Sequence, residues 1–464
     1  MPKYSNSRFL KNLFLILFIK ILFVFFYSIN FYSITHDSWE YIELAKSLSN
    51  NLTYKIDNLP QMNRAPGYPI FLALFFFISE KISFVIFGQV LLGTITICLV
   101  IDIWEKINQC LISRLNIIFF SSCIYLNYYE SVIMTETLYT FLIVSGLWFF
   151  VCFNNKFFDI NSLKTINHIF CAILLSWAVL TRQPVIFSIF NFFLFIFIFT
   201  FFSNKNFFFK QLKNFFIFGS IFILIISSWM FRNYITFKDE ILTNSNATIL
   251  GYKTSIETYN HFYNQNFKEF VHSYPEPFIM IRPYEKPVIA KYIYSNEKKE
   301  VEIAFTELEN DVASNKNINK STMELFKRIS EKRHEADSFL FLKAPISRAL
   351  KLIFSPRIGS FSRDQVINSS NTEKKNLYLF FIYNFTFIFL FLIGIYKSHK
   401  VKKKSNNLNF IVLSFSLIFI ISHIVFYSFY SPFTQSRYFI PLFPLLFLYI
   451  PNFSVKFFLR KVAT

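Results

Sequence analysis

Apolar segments of membrane-spanning length, separated by short basic loops, constrain the fold of this chain more than any other feature. Hydrophobic residues make up 54% of the 464 residues, and charged residues only 16%. A soluble domain of this length could not bury so much apolar surface, whereas a helix crosses a bilayer with about 20 apolar residues. The sequence therefore predicts an all-α polytopic membrane protein.

About ten transmembrane helices are expected. The predicted spans are residues 12–33, 82–104, 115–128, 132–153, 166–180, 185–202, 215–234, 377–396, 408–426 and 438–451. The apolar stretch that begins at Arg64 is too short to cross a bilayer, so we expect a juxtamembrane helix there, within a first outer loop formed by residues 35–81. A basic flank, a length of about 20 residues and the lack of a small-residue cleavage site favour an uncleaved signal anchor over a signal peptide for the first span.

Loop charges predict the orientation and the division into domains. With both termini in the cytoplasm, every lysine-rich short loop falls on the cytoplasmic side. This placement accounts for much of the net charge of +19, so no nucleic-acid partner is expected. Residues 1–235 are predicted to form an N-terminal transmembrane module, 236–375 a mostly helical region outside the cytoplasm, and 376–464 the last helices with a basic cytoplasmic tail.

Four arginines fall where the positive-inside rule disfavours positive charge. In the expected topology they mark the outer ends of apolar segments: Arg64, Arg182, Arg232 and Arg437. Each alone has a structural explanation, either a turn rich in Pro and Gly or a side chain that snorkels from its span. Together they favour an anionic ligand. A phosphate suits them because the planar guanidinium donates two hydrogen bonds to one anion.

Two acidic residues and two tyrosines are expected near the same face. Asp37 follows the first span, and Glu136 lies near the outer end of the fourth. Ionisable residues at the edge of a span are costly and often functional, so both are candidate catalytic residues. The structural alternatives are an N-cap for Asp37 and a helix-start charge for Glu136. Tyr41 and Tyr68 fit an interfacial aromatic belt, or alternatively stacking against a sugar ring.

Several classes of chemistry have no sequence signal. The five cysteines lie in or beside apolar segments and form no CxxC pair, so neither a disulfide framework nor a zinc site is expected. The chain has no Walker, GxGxxG or HxxxH pattern, so nothing points to ATP hydrolysis or nicotinamide chemistry.

Short motifs occur along the chain in a characteristic order. They are RAPGYP at 64–69, MTETLYTF at 134–141, LTRQP at 180–184, WMFRNY at 229–234 and SRYFIPLFP at 436–444. With an acidic residue straight after the first span, this order resembles the GT-C superfamily of membrane glycosyltransferases. The nearest resemblance is to bacterial members of the protein-mannosyltransferase and aminoarabinose-transferase group, glycosyltransferase family 39. It covers about residues 12–234 and 377–451 and is weak between them.

The resemblance implies an enzyme of a bacterial inner membrane. Such enzymes take a sugar from a polyprenyl-phosphate carrier and transfer it, outside the cytoplasm, to a lipid, glycan or protein acceptor. Asp37 would act as general base or position the acceptor, and Arg64 would lie near the carrier phosphate. Arg437 falls on the family's late Arg-Tyr pattern, and Glu136 on its acidic position in the span three–four region.

One departure from the family concerns the first outer loop. Many relatives have two adjacent acidic residues there, whereas in this chain Ser38 and Trp39 follow Asp37, and Glu40 comes three positions after it. The second acidic role and any metal requirement are therefore open. No cofactor or metal is expected, because arginines can neutralise a monophosphate leaving group.

Three other functions are compatible with the pattern. The first is a polysaccharide polymerase or ligase that uses a diphosphate-linked oligosaccharide. The second is a secondary transporter or flippase, against which the 8 glycines and the lack of matching halves argue. The third is a noncatalytic membrane scaffold, which would tolerate replacement of Asp37 and Arg64.

Overall fold

The structure is a computed structural model that describes most of the chain. The described residues are 6–30, 34, 36–61, 64–152, 165–203, 205–237, 292–313, 319–336, 345–346, 349–350, 352–353, 382–396, 407–430 and 436–452. The chain divides into two units. The first comprises Met1–Ile241, Thr386–His423 and Ile440–Thr464, and the second comprises Leu242–Phe385 and Ile424–Phe439.

The described residues are almost entirely helical, which confirms the all-α prediction. In chain order the elements are α1 (Asn6–Asn30), α2 (His36–Asn51), β1 (Lys55–Ile56), β2 (Leu59–Pro60), α3 (Gly67–Phe76), α4 (Ile82–Asn108), α5 (Arg114–Ser121), α6 (Ile124–Glu130), α7 (Glu136–Cys152), α8 (Thr165–Thr181), α9 (Val185–Ser203), α10 (Lys205–Phe237), α11 (Glu297–Ala313), α12 (Lys320–Ala336), α13 (Ile382–Tyr396), α14 (Asn407–Val425), a π-helix (Phe426–Tyr430), a 3₁₀-helix (Ser436–Leu442) and α15 (Phe443–Phe447). Asp57 and Asn58 join the two short strands with positive φ angles of 51° and 64°, as a tight hairpin turn requires.

Three helices of the described part are long and apolar enough to cross a membrane. They are Arg8–Ser28, Ile82–Asn108 and Leu212–Phe237. Shorter apolar helices, of 10–17 residues, overlap six of the other predicted spans: Glu136–Phe150, Ile166–Thr181, Val185–Ile198, Ile382–Tyr396, Leu413–Phe429 and Arg437–Phe447. Gly67–Phe76 is a ten-residue helix, as predicted for the stretch after Arg64.

Two of the predicted spans are not continuous α-helices. Residues 115–128 are split between α5 and α6, and the Asn127 side-chain amide donates to the Ser121 carbonyl at 2.8 Å across the break. Residues 438–451 begin as a 3₁₀-helix containing Pro441 and end in a turn after α15. Proline lacks the backbone donor of a helix interior. Apolar composition alone does not reveal such breaks, because the residues on both sides are apolar.

Helix α1 contacts the rest of the first unit along one face. Ile16, Lys20, Val24 and Tyr27 are buried, and their spacing places them on a single stripe of the helix. Many of the other side chains of α1 are large, apolar and exposed, as expected of a helix that faces lipid.

Helices α3 and α8 approach each other closely at Gly67. The Trp177 indole donates to the Gly67 carbonyl at 2.9 Å. A Cβ atom at position 67 would lie 2.5 Å from the Thr181 hydroxyl oxygen and 2.7 Å from the Leu180 carbonyl carbon. This glycine therefore fixes the start of α3, three residues after Arg64, against the end of α8.

The described part of the second unit contains a helical hairpin, α11 and α12. Its core is formed by Val301, Ala304, Phe305, Leu308, Phe326 and Ile329. A buried ion pair joins Glu297 to Arg333 at 3.0 Å, and Asp311 accepts hydrogen bonds from Asn319 and Thr322. These two helices agree with the mostly helical structure predicted for residues 236–375. Most of the remainder of 236–375 lies outside the described residues.

Candidate functional site

Arg64 is held by two carboxylates of α2. Its Nη2 atom lies 2.9 Å from Asp37 Oδ1, and its Nε atom lies 2.6 Å from Glu40 Oε2. Residues three and four apart share a face of a helix, so α2 presents Asp37, Glu40 and Tyr41 to the same guanidinium. Asp37 lies in the first turn of α2, which begins at His36, so it is part of the helix and does not precede it as an N-cap.

Buried tyrosines support this ion pair. The Tyr41 ring lies 5.1 Å from Arg64 Cζ, and Tyr68 packs edge-on against Tyr41 with 5.1 Å between ring centroids. The Tyr68 hydroxyl donates to Gln89, and the Tyr54 hydroxyl donates to the Arg64 carbonyl. Tyr41 and Tyr68 are both buried, so in this conformation neither ring offers a face to a sugar.

The Arg64 guanidinium is firmly cationic. Burial lowers the pKa of this side chain, but the neighbouring Tyr41, Asp37 and Glu40 raise it by more, so the net shift of the pKa is upwards. The ion pair is therefore a fixed charge arrangement at neutral pH, with two carboxylates competing for one cation.

Arg232, near the end of α10, has a different environment. It donates to the Gln61 carbonyl at 2.7 Å, to the Tyr54 carbonyl at 3.2 Å and to the Asn233 side chain at 2.9 Å. Its Cζ atom also lies 4.9 Å from the Trp229 ring centroid. No carboxylate of the described residues forms an ion pair with it, so carbonyl oxygens and aromatic faces balance its charge.

Glu136 and Arg182 form a second, more deeply buried ion pair. Arg182 Nη2 lies 2.5 Å from Glu136 Oε1, and Arg182 Nε donates to the Thr135 hydroxyl at 2.7 Å. The Glu136 side chain is fully buried, and that of Arg182 is 11% exposed. Glu136 is the first residue of α7, where the positive end of the helix dipole favours a carboxylate.

A hydrogen-bond network places both ion pairs at one end of the first unit. The Ser38 hydroxyl donates to the Ile133 carbonyl at 2.8 Å, which ties α2 to the segment before α7. Tyr54 connects Arg64 to Arg232, and the Gly67–Trp177 bond ties α3 to α8. The predicted residues that share this end are Asp37, Arg64, Glu136, Arg182 and Arg232. Arg437 belongs to the second unit, where its guanidinium lies 5.8 Å from the Tyr438 ring centroid.

One buried ion pair of the first unit was not predicted from the sequence. Lys20 of α1 pairs with Glu130 at the end of α6 and donates to Asn127 at 3.0 Å. The available signal was a lone lysine in the middle of an apolar span, a rare and costly placement. The role of Glu40 as a second partner of Arg64 was also not assigned from the sequence.

The arrangement can bind anions and accept protons. Within the described ranges, no group of three or more His, Cys, Asp or Glu side chains is placed to hold a metal ion. The site combines Asp37 and Glu40, which are partly exposed, with guanidiniums that donate to oxygen anions. Comparison of the chain with protein-family models, curated proteins and solved structures found no match in any of the three.

Proposed function

We propose that this chain is a membrane glycosyltransferase that moves a sugar from a polyprenyl-phosphate carrier to a lipid, glycan or protein acceptor. The observation that supports it most is the contact between Asp37 and Arg64, 2.9 Å apart, with Arg232 connected to them through Tyr54. Glycosyl transfer from a phosphate carrier needs a group that takes the acceptor proton and cations that stabilise the leaving phosphate. Both kinds of group meet at this end of the first unit.

Arg64 is proposed to link donor binding to activation of the base. It is shared between Asp37 and Glu40, and a phosphate oxygen arriving beside it would compete for the same N–H donors. When the guanidinium turns to the phosphate, Asp37 loses a cationic partner and becomes a better proton acceptor. The base is then ready only when the donor is bound.

Arg232 is the arginine best suited to hold the carrier phosphate. Backbone carbonyls of Gln61 and Tyr54 orient its guanidinium. Because it has no ion pair with a carboxylate of the described residues, Arg232 breaks none when it binds a phosphate. The Trp229 ring also lies 4.9 Å from the guanidinium carbon, where its face attracts the positive charge. Arg182 is proposed as a donor-binding residue because it lies at the same end of the first unit. Arg437 is proposed as one only because of the family resemblance.

The proposed step is a displacement at the anomeric carbon. The acceptor oxygen forms a bond to that carbon while the bond between the carbon and the phosphate oxygen breaks. The acceptor proton passes to Asp37, and the electron pair of the broken bond stays on the carrier phosphate, whose charge the arginines offset. Glu136 is fully buried against Arg182, so we assign it the positioning of Arg182 instead of the catalytic role expected from the sequence.

The proposal places the site outside the cytoplasm of a bacterial inner membrane. About ten spans, with both termini in the cytoplasm, put every lysine-rich short loop inside, as the positive-inside rule favours. The three helices of membrane-spanning length are compatible with this arrangement. The carrier lipid would then reach the site from the outer leaflet.

A carrier comparison tests the reaction class. Purified protein in lipid nanodiscs receives synthetic polyprenyl carriers that bear hexoses or pentoses through one phosphate or two, with envelope extract as the acceptor source. We expect free polyprenyl monophosphate to accumulate, by mass spectrometry, from a one-phosphate carrier with wild-type protein and not with Asp37→Asn. Turnover of two-phosphate carriers alone would favour the polymerase or ligase, and turnover of neither would contradict the proposal.

Transport is the second candidate, and one observation favours it. Lys20 and Glu130 are ionisable, fully buried and paired, and buried charges inside spans often mark ion or substrate pathways. A flippase predicts movement of fluorescent polyprenyl-phosphate sugars across proteoliposome membranes that persists in Asp37→Asn. The glycosyltransferase predicts no such movement.

A further inference from the structure

The Lys20–Glu130 pair leaves one carboxylate oxygen without a hydrogen-bond partner. Lys20 and Glu130 have side chains 0% and 3% exposed, and Lys20 pairs with Glu130 Oε1. Glu130 Oε2 is buried and has no hydrogen-bond partner among the described residues. A buried carboxylate oxygen left without a donor costs free energy, so its surroundings need an explanation.

A small cavity adjoins this carboxylate. Its volume is about 10 Å³, and its walls include Glu130, Glu136, Thr96, Thr137 and Thr140. Gly93 also lines it, and a Cβ atom at that position would lie 1.9 Å from Glu130 Oε1. The glycine therefore makes room for the carboxylate beside the cavity. A space of this size is the smallest that holds one water molecule.

The threonine hydroxyls in the cavity wall have already donated their hydrogens. Thr137 donates to the Tyr129 carbonyl at 2.9 Å, Thr140 to the Glu136 carbonyl at 2.6 Å, and Thr96 to the Leu92 carbonyl at 2.8 Å. Towards the cavity these hydroxyls, like the carboxylates, can act only as hydrogen-bond acceptors. The wall is therefore rich in acceptors, and its natural occupant is a donor.

Charge balance decides what kind of donor fits. Glu130 is paired with Lys20, and Glu136 with Arg182, so the two carboxylates already have two cations. A metal ion or ammonium group would add an uncompensated charge in a buried site, which is costly. A neutral molecule with two donors, namely water, satisfies the acceptors and leaves the charge balanced.

We propose that one internal water donates to Glu130 Oε2 and to a carboxylate oxygen of Glu136, both of which residues line the cavity. This water joins the Lys20–Glu130 and Glu136–Arg182 ion pairs into one hydrogen-bonded unit. Residues in one network are energetically coupled, whereas independent pairs are not. The middle of α1 is thereby connected to the arginine at the end of α8. The inference concerns the resting protein and does not depend on the proposed reaction.

A cryo-electron microscopy map of the wild-type chain in nanodiscs tests the occupant directly. At a resolution that resolves other buried waters, we expect a density peak within hydrogen-bonding distance of Glu130 Oε2 and of a Glu136 carboxylate oxygen, and a peak that reaches no Glu136 oxygen would contradict the bridge. An empty cavity, or a peak with the short distances and higher coordination of a metal ion, overturns the proposal. This test needs no variant and so does not depend on the folding of one.

A double-mutant cycle tests the coupling. The Tm of the purified protein is measured for Glu130→Gln, Glu136→Gln and the two combined. The control cycle combines Glu130→Gln with Asp102→Asn, whose carboxylate pairs separately with Lys106 and Trp148. We expect the combined Tm loss to be smaller than the sum of the single losses in the first cycle and equal to the sum in the control. Additivity in both cycles overturns the coupling.

Discussion

Charge pairing distinguishes the arginines of the first unit from one another. Arg64 is shared by two carboxylates and Arg182 is paired with one, whereas Arg232 has no carboxylate partner within the described ranges. An incoming phosphate must displace a carboxylate at the first two sites but not at Arg232. If the site binds a phosphate, Arg232 should therefore contribute most to donor affinity.

Replacement of Arg232 tests this ranking. A charge-assisted hydrogen bond contributes about 1.5–3 kcal/mol, so Arg232→Gln should raise the KM for the donor by about ten- to a hundredfold. Arg232→Lys should recover only part of this, because an ammonium lacks the planar fork. Turnover is measured as a function of donor concentration for variants whose Tm equals that of the wild type, so that a loss of stability does not affect the KM. An unchanged KM in Arg232→Gln would remove this residue from the donor site.

Residue positions in the site were easier to predict than residue pairings. The grouping of Asp37, Arg64, Arg182 and Glu136 was predicted from span ends and loop charges alone, and in the structure these residues lie at one end of the first unit. The pairing of Lys20 with Glu130 joins residues 110 positions apart, and no local pattern encodes such a contact. Burial of Tyr41 and Tyr68 likewise depends on how α2 packs against α3, which periodicity does not specify.

At the scale of elements, the position of α3 depends on the absence of a side chain at Gly67. Backbone atoms of Leu180 and Thr181 lie 2.7 Å from the position of a Cβ atom, which is too close, and backbone cannot rotate away as a side chain does. Gly219, in α10, has nothing within 4 Å of its Cβ position. The two glycines form a matched pair, one required by packing and one not.

Alanine at these two positions should have opposite effects. Gly67→Ala pushes α3 and the Arg64 segment away from α8, so it should lower the Tm and reduce activity together. Gly219→Ala should stabilise α10 by about 0.5–1 kcal/mol, because alanine is the better helix former. Thermal unfolding in detergent gives both values. Equal effects at the two sites would contradict the close approach of α3 and α8.

The α11–α12 hairpin should lose stability in acid. The hydrogen bond from Lys332 at 2.5 Å is the main cause that lowers the pKa of Glu300. Because the folded pKa lies below the unfolded value of about 4.3, the pair stabilises the hairpin at neutral pH. That contribution to stability is lost as the pH falls from the unfolded pKa of Glu300 through its lower folded pKa.

Hydrogen-exchange mass spectrometry of the full chain measures this effect. After correction for intrinsic rates, protection of peptides from α11 should fall in acid in the wild type, and fall less steeply in Lys332→Met. Lys327→Met is the control, since its contact with Glu331 is 3.9 Å long and exposed. The same acid dependence in all three proteins would show that Glu300 is not responsible.

The presence of a helix was predictable from the sequence where one property dominated, but its boundaries were less so, since α10 begins at Lys205 and not at residue 215. The long apolar runs of α1, α4 and α10 were predicted as spans, and all three are helices of membrane-spanning length. At the break between α5 and α6, the Asn127 side chain donates a hydrogen bond to the Ser121 carbonyl. Hydrophobic periodicity does not predict this hydrogen bond. Pro441 is visible in the sequence, but the 3₁₀ geometry around it is not.

For the whole molecule, the orientation in the membrane can be tested with cysteine labelling. Leu59 in the short hairpin is 65% exposed, and Cys110, after the far end of α4, is exposed. In spheroplasts, a membrane-impermeant maleimide should label Leu59→Cys in a Cys110→Ser background. Native Cys110 should react only after lysis. The reverse pattern would invert the proposed topology.

The central claim for the whole molecule is Asp37-dependent sugar transfer, and one comparison tests it most directly. Glycolipids, glycans and glycoproteins of the cell envelope are analysed by mass spectrometry in a deletion strain that carries wild-type protein, Asp37→Asn or Asp57→Asn at equal abundance. Asp57→Asn removes the same charge from an exposed turn of the same loop, at a positive φ that asparagine tolerates. We predict one sugar missing with Asp37→Asn and present with Asp57→Asn. If the deletion strain lacks a sugar and Asp37→Asn fully restores that sugar, the account is contradicted.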